Sequence, residues 1–310
     1  MKILICDPIA KEAVEKMKQS GFEVSDKGGI TPDELLKIIS DYEIMIVRSA
    51  TKVTKDVINA GKKLKVIFRG GVGTDNIDKE AAKANKIEVL NTPGASSISV
   101  AELAIGYMFA MAREIPQATA LMKQSKWEKK AFKGYELYQK TLGLLGIGRI
   151  GSEVAKRAAA LGMKVLAYDP FVKKTDLPNT KLVSWEELLK NSDYISLHLP
   201  LTNETKYFLN KDKFAMMKKG VRIIQCARGG IINENDLYEA IKAGQVAGAA
   251  IDVYEKEPPE NWKLFELPQV IGTPHLGATT VEGQFRVGME MAEVLAGKFG
   301  KECGCSCGCK

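Results

Sequence analysis

Residues 141–151, TLGLLGIGRIG, carry an apolar run straight into three glycines, Gly146, Gly148 and Gly151. The apolar part reads as a strand buried on both faces, and RIGSEVAKRAAALGM reads as the helix that follows it. Between them the chain has to turn within a few residues, and Gly146 supplies the backbone freedom to do so. Gly148 leaves the main chain open to close approach, and Gly151 lets the helix lie tight against the strand. The first turn of that helix then offers unbonded N–H groups to an anion above the turn.

The next strand-like run, KVLAYDP, ends in Asp169, eighteen residues beyond Gly151. An acid at about that interval is placed to accept hydrogen bonds from the ribose hydroxyls of a dinucleotide. A carboxylate there also repels a 2′-phosphate, so the expected cofactor is NAD rather than NADP.

The same alternation of strand and helix runs through the whole chain. KILIC, FEVS, EIMIVRSA, LKVIFRG and IEVLNT form a first series of short, β-branched runs. A second series comprises TLGLLGI, KVLAYDP, YISLHLP, VRIIQCARG, AGAAIDV and QVIGTPH. Such repetition specifies α/β architecture with parallel sheets, and the six strands of the second series suffice for a doubly wound sheet. Thr31-Pro32-Asp33-Glu34 reads as a capping box, as do Ser184 and Glu187. Between the two series, SSISVAELAIGYMFAMAREIPQA reads as one long helix closed by Pro116, and TVEGQFRVGMEMAEVLAG is a final helix returning to the first series.

Composition excludes several classes. The 310 residues are 45% hydrophobic and 27% charged, as in a globular protein. No apolar stretch approaches the ~18 residues that span a bilayer, and MKILICDP begins directly as a strand, so a cytoplasmic location is expected. The net charge is +7, but acids lie among the lysines of KEAVEKMK and KWEKK. They read as solvated helix faces and not as a nucleic-acid stripe, and the mild positive field suits a small anionic substrate. Cys6 and Cys226 sit alone in strand-like runs, while Cys303, Cys305, Cys307 and Cys309 crowd the tail. That tail reads as a flexible thiol-bearing segment or as a soft-metal or redox site; its spacing is not that of a zinc finger.

Only two histidines occur, His198 and His275. His275 lies between Pro274 and Gly277, just past a strand, where ligands of doubly wound sheets bind; His198 reads equally as structural or functional. Arg228 and the pair Asp252 and Glu257 fall at two further strand ends. Oxidising a 2-hydroxy acid needs a base for the hydroxyl proton, a planar cation for the carboxylate and an acid to hold the base. His275, Arg228 and Glu257 fit those three roles.

LLGIGRIG, YDP, CARGGIINENDL, GAAIDVYEKEPP and TPHLGA together resemble the D-2-hydroxyacid dehydrogenases, over about residues 1–300. VRSATKVT, RGGVGTDNID, NTPGASSISVAELAIGYMFAMAR and KWEKKAFKGYELYQK are most similar to the phosphoglycerate-oxidising branch of that family. The resemblance implies a Rossmann NAD-binding domain, residues 97–279, inserted into a flavodoxin-like substrate domain made of residues 1–96 and 280–302, with 303–310 as a tail. Hinges fall near Ser96 and Thr279. It implies His275, Glu257 and Arg228 as the catalytic set, Glu257 being preferred to Glu255 because a proline follows it. NAD contacts are implied from Gly146, Gly148, Arg149, Ile150, Gly151 and Asp169, and from Cys226, Ala227, Arg228, Asp252, His275 and Gly277. Val72 and Leu199 complete them, and Arg48 and Arg69 match arginines that hold the anionic end of the substrate.

The implied reaction is NAD-dependent oxidation of 3-phospho-D-glycerate, by a homodimer joined near residues 100–140. Hydroxypyruvate or glyoxylate reduction, and a binding protein that senses NAD(H) without turnover, stand as alternatives. Many relatives of that branch continue into a serine-sensing regulatory domain. This chain stops before one begins, so serine inhibition through such a domain is not expected.

Overall fold

The computed structural model describes residues 1–260 and 262–300; the cysteines at 303, 305, 307 and 309 lie outside them. The chain divides into two compact units, one made of Met1–Ser96 with the segment from Ala278 onward, the other of Ser97–Gly277.

The first unit holds β1 (Lys2–Ile5), α1 (Lys11–Gln19), β2 (Glu23–Asp26), α2 (Pro32–Ile38), β3 (Ile44–Val47), α3 (Lys55–Ala60), β4 (Val66–Arg69), α4 (Lys79–Ala84) and β5 (Glu88–Asn91). Its strands are parallel in the order β2-β1-β3-β4-β5. Alternate strand residues explain both cores. Ile3, Ile5, Ile44 and Phe68 pack against Val14 and Met17 of α1 on one face, while Leu4, Met45 and Ile67 meet Leu35, Ile58 and Ala82 on the other. A sheet covered on both sides needs apolar residues at every strand position, and IMIV of β3 is buried throughout. The Thr31 capping box forms in full.

The second unit holds α5 (Ser97–Arg113), α6 (Ile115–Lys123), β6 (Thr141–Leu145), α7 (Arg149–Ala160), β7 (Lys164–Tyr168), β8 (Thr180–Leu182), α8 (Trp185–Asn191), β9 (Tyr194–Leu197), α9 (Lys211–Met216), β10 (Val221–Gln225), α10 (Glu234–Lys242), β11 (Val246–Ile251) and β12 (Val270–Gly272). The seven strands run parallel in the order β12-β11-β10-β9-β6-β7-β8. The winding reverses between β6 and β9, the place where such sheets open a crevice at their carboxyl edge. The unit begins and ends at one place, since a Cβ on Gly277 would lie 3.4 Å from Val100 in α5. The closing helix α11 (Val281–Phe299) belongs to the first unit and packs Val287, Met291 and Leu295 into the face shared with α1.

Three expectations are corrected. The second sheet has a seventh strand, β8, whose TKL sequence carries no apolar run because it is a short edge strand with Lys181 exposed. The long helix is two helices: Glu114 adopts a left-handed conformation with φ 51°, and Pro116 opens α6 where its missing N–H is harmless. Ser184 caps α8 by accepting from the Glu187 N–H at 3.2 Å, but the Glu187 carboxylate turns to Lys181 at 3.2 Å.

Candidate active site

The glycine turn sits at the end of β6. Gly146 has φ 95°, and a Cβ there would fall 2.7 Å from the His198 carbonyl oxygen, so only glycine fits under the crossing chain. Around Gly148 the same test finds nothing within 4 Å, and Gly148 caps α7 with no side chain on the first-turn N–H groups. Asp169 faces the turn: one carboxylate oxygen accepts from the Ile147 N–H at 3.1 Å, the other from Phe171 N–H at 2.9 Å. An open helix N-terminus, room at the second glycine and a carboxylate with unused lone pairs match the pyrophosphate and ribose of a dinucleotide. Leu199 is buried beside Gly146, Ile150 is half-buried, and Arg149 is exposed.

His275 stands on the loop after β12, with φ 55°. A side chain in the left-handed region needs support, and Asp252 gives it. That carboxylate, 1% exposed, accepts from the Leu276 N–H at 2.6 Å, the Gly277 N–H at 2.7 Å and the Thr273 hydroxyl. The Thr273 hydroxyl in turn meets the hydroxyl of Tyr107 from α5. The His275 ring is exposed, and its Nδ1 lies 2.7 Å from a Glu257 carboxylate oxygen. Glu257 accepts from the Tyr254 N–H at 3.2 Å with its other oxygen. Burial pushes the Glu257 carboxyl upward, but the hydrogen bond and electrostatic attraction to His275, the Tyr254 N–H and Arg228 outweigh burial and hold it below the usual range.

Arg228 leaves β10 on a tight loop. Gln225 shapes it, donating to the Arg228 carbonyl at 2.9 Å and accepting from the Ala227 N–H at 3.1 Å, while the guanidinium reaches the Ala227 carbonyl at 2.7 Å. Cys226 is buried, and burial raises its thiol well above the usual value, so it is an un-ionised wall. Gly229 presses against the neighbouring loop, because a Cβ there would fall 1.6 Å from the Tyr254 carbonyl oxygen. The loop of Glu257 is tied down on its far side too. Glu255 N–H donates to Glu234 at 2.7 Å, Glu234 N–H donates to Glu255 at 2.9 Å, and the Tyr207 hydroxyl donates to Glu255 at 3.0 Å. Glycine turn, Arg228, Asp252, Glu257 and His275 thus all follow carboxyl ends of strands in one sheet.

Arg48, Arg69 and Val72 belong to the first unit. Arg48 follows β3, and the buried Asp7 after β1 holds its loop through the Arg48 N–H at 2.5 Å, the Thr51 N–H at 3.2 Å and the Thr51 hydroxyl at 2.7 Å. Burial holds the Arg48 guanidinium below its usual pKa, and that same group donates to the Pro8 carbonyl at 3.3 Å. Arg69 closes β4, and the Val72 carbonyl accepts from Asn91 at 2.6 Å.

A family profile described as "D-isomer specific 2-hydroxyacid dehydrogenase, NAD binding domain" matches residues 105–277. The chain belongs to the D-isomer specific 2-hydroxyacid dehydrogenase family. It is 52% identical over 303 residues to a Thermotoga maritima protein named hydroxypyruvate reductase, covering 96% of this chain and 98% of the relative. It is 51% identical over 298 residues to the D-3-phosphoglycerate dehydrogenase of Methanocaldococcus jannaschii, where it covers 95% of this chain and only 57% of the relative. Among solved structures, the TT0316 protein of Thermus thermophilus superposes with a TM-score of 0.86 at 34% identity, over 94% of this chain and 95% of that one. A D-lactate dehydrogenase of Aquifex aeolicus, complexed with NAD and lactic acid, gives 0.80 at 30% identity, over 95% and 94%. The dehydrogenase reading and NAD as its cofactor therefore stand, and no helix among the described residues is long and apolar enough to cross a membrane.

Sequence reasoning missed residues that hold these loops in place: Asp7 in the first unit, and Tyr107, Tyr207, Gln225, Glu234 and Thr273 in the second. Only Asp7 and Glu234 carry a signal, one as the charge just past β1 and the other as the charge opening α10.

Proposed function

We propose that this protein oxidises 3-phospho-D-glycerate to 3-phosphohydroxypyruvate with NAD, using His275, Glu257 and Arg228. The observation that carries the reading is the 2.7 Å hydrogen bond between His275 Nδ1 and Glu257. An ionised carboxylate accepts, so Nδ1 carries the ring proton and Nε2 keeps its lone pair free. Nε2 takes the proton of the C2 hydroxyl, and Glu257 stabilises the imidazolium that results. Arg228 binds the substrate carboxylate in two-pronged fashion and fixes which face of C2 is offered. Bound NAD supplies the acceptor for the hydride that leaves C2. The α7 N-terminus with Gly146, Gly148, Arg149, Ile150 and Gly151 would hold its pyrophosphate and Asp169 its ribose, with Leu199, Cys226, Ala227, Asp252, Gly277 and Val72 lining the remainder.

We assign NAD binding to residues 97–279 and substrate handling to 1–96 with 280–302. Arg48 and Arg69 would bind the phosphate. Two free, buried cysteines, Cys6 and Cys226, suit a reducing compartment such as the cytoplasm. Exposed Ile115, Met122, Trp127, Tyr135 and Tyr138 favour a homodimer through the second unit.

A second reading, reduction of hydroxypyruvate or glyoxylate, is favoured by the Thermotoga maritima relative, which this chain matches over 98% of its length. Phosphate separates the two. NADH absorbance is followed with 3-phosphoglycerate, glycerate, lactate, hydroxypyruvate and glyoxylate, for wild type and for Arg48→Ala and Arg69→Ala. On the leading reading, 3-phosphoglycerate has the highest kcat/KM, and each variant lowers it by about 10- to 100-fold more than it lowers glycerate turnover. Equal losses on both substrates, or a preference for hydroxypyruvate, replace it with the second.

A further inference from the structure

We propose that Tyr107 is a positioning residue for the His275 loop, acting through Thr273 and Asp252. Tyr107 lies on α5, is 4% exposed, and its hydroxyl meets that of Thr273. Donor and acceptor roles along this chain of groups follow from the hydrogen bonds at Asp252. Its carboxyl group accepts from the Leu276 and Gly277 N–H groups, and the Thr273 hydroxyl gives its proton to it as well. The Thr273 oxygen is then left as an acceptor, and the Tyr107 hydroxyl supplies the donor. Both hydroxyl protons are thereby committed in one direction, from α5 toward the carboxylate that grips the N–H groups of Leu276 and Gly277.

Without the Tyr107 donor, the Thr273 hydroxyl is free to turn to another acceptor. Asp252 then loses one of its three donors and the clamp around His275 loosens. The same helix supports the loop a second time. Val100, two turns earlier on the same face of α5, lies against Gly277 at the other end of the clamp. An aromatic residue in GYMFAMAR would by itself be simple core filling; the hydroxyl aimed at Thr273 is what core filling does not need.

The inference rests on reading His275 as the acid/base group, and its test can fail separately from that reading. The chain has only two histidines, so a protein labelled with carbon-13 and nitrogen-15 in histidine gives two ring signals, with His198 as the internal control. In Tyr107→Phe, which keeps the ring and removes the hydroxyl, the His275 signal should shift and broaden while His198 stays in place. Catalytically, kcat should fall about 3- to 10-fold while KM for NAD changes less than about two-fold. Thr273→Ser keeps the hydroxyl and should behave as wild type. Thr273→Val should reproduce the loss, and the double variant should be no worse than Thr273→Val alone.

A His275 signal in Tyr107→Phe that superimposes on wild type overturns the proposal, and so do additive losses in the double variant. If Thr273→Val does not fold, Tyr107→Phe and Thr273→Ser decide by themselves. If the His275 signal moves while turnover survives both Tyr107→Phe and His275→Asn, the positioning role is supported and the acid/base reading of His275 falls.

Discussion

His198 holds Ser196 Oγ at 2.9 Å from its Nε2, while its Nδ1 is enclosed without a hydrogen-bond partner, and burial lowers its pKa to about 4. His275, by contrast, is exposed and carries a carboxylate on Nδ1. The surroundings of His198 make it a neutral structural group beneath the glycine turn, and they set a pH dependence. An unfolded chain protonates this side chain near its ordinary value of 6.5 and the folded chain only near 4. Between those values the unfolded state binds more protons, so stability is lost as pH falls through that window. On going from pH 7.5 to pH 4.5, wild type should lose about 2–3 kcal/mol more than His198→Gln in urea unfolding. Equal losses would mean that the ring is not held neutral. From sequence, His198 read equally as structural or functional, because the strand-like run around it gives no sign that Nδ1 is enclosed.

At the scale of elements, six of the seven strands in the second sheet are readable because a sheet buried on both faces writes continuous apolar runs. β8 is not, since an edge strand of three residues has no such demand. The glycine turn and Asp169 are legible as a spacing. What spacing does not reveal is that Asp169 already accepts two backbone N–H groups. It therefore shapes the turn in addition to the cofactor contact proposed for it, and these contributions can be separated. Asp169→Asn removes the charge but can still accept from the Ile147 N–H; Asp169→Ala removes both. We expect the ratio of kcat/KM for NAD to that for NADP to fall about tenfold or more in each, and turnover with NAD to fall further in Asp169→Ala. An unchanged ratio in both variants would remove Asp169 from cofactor selection. The reciprocal tie between Glu234 and Glu255 was beyond sequence reading, since residues twenty-one apart meet only once β11 and α10 have formed.

For the whole molecule, Ile115 and Met122 of α6 and Trp127, Tyr135 and Tyr138 of the segment after it are exposed, and the proposed homodimer would cover them. Sedimentation equilibrium should give about twice the chain mass of 33.9 kDa, and Trp127→Ser combined with Tyr138→Ser should halve it. A wild-type monomer at micromolar concentration would contradict this. Chain path matters at this scale as well. The second unit starts at Ser97 and finishes at Gly277, with Gly277 against Val100. A segment whose two ends meet can be lifted out of one host and set into another without stretching either, as a cassette. On the assignment proposed above, the flanking residues, and with them the acid to be recognised, are then open to change while the machinery that moves the hydride is inherited intact.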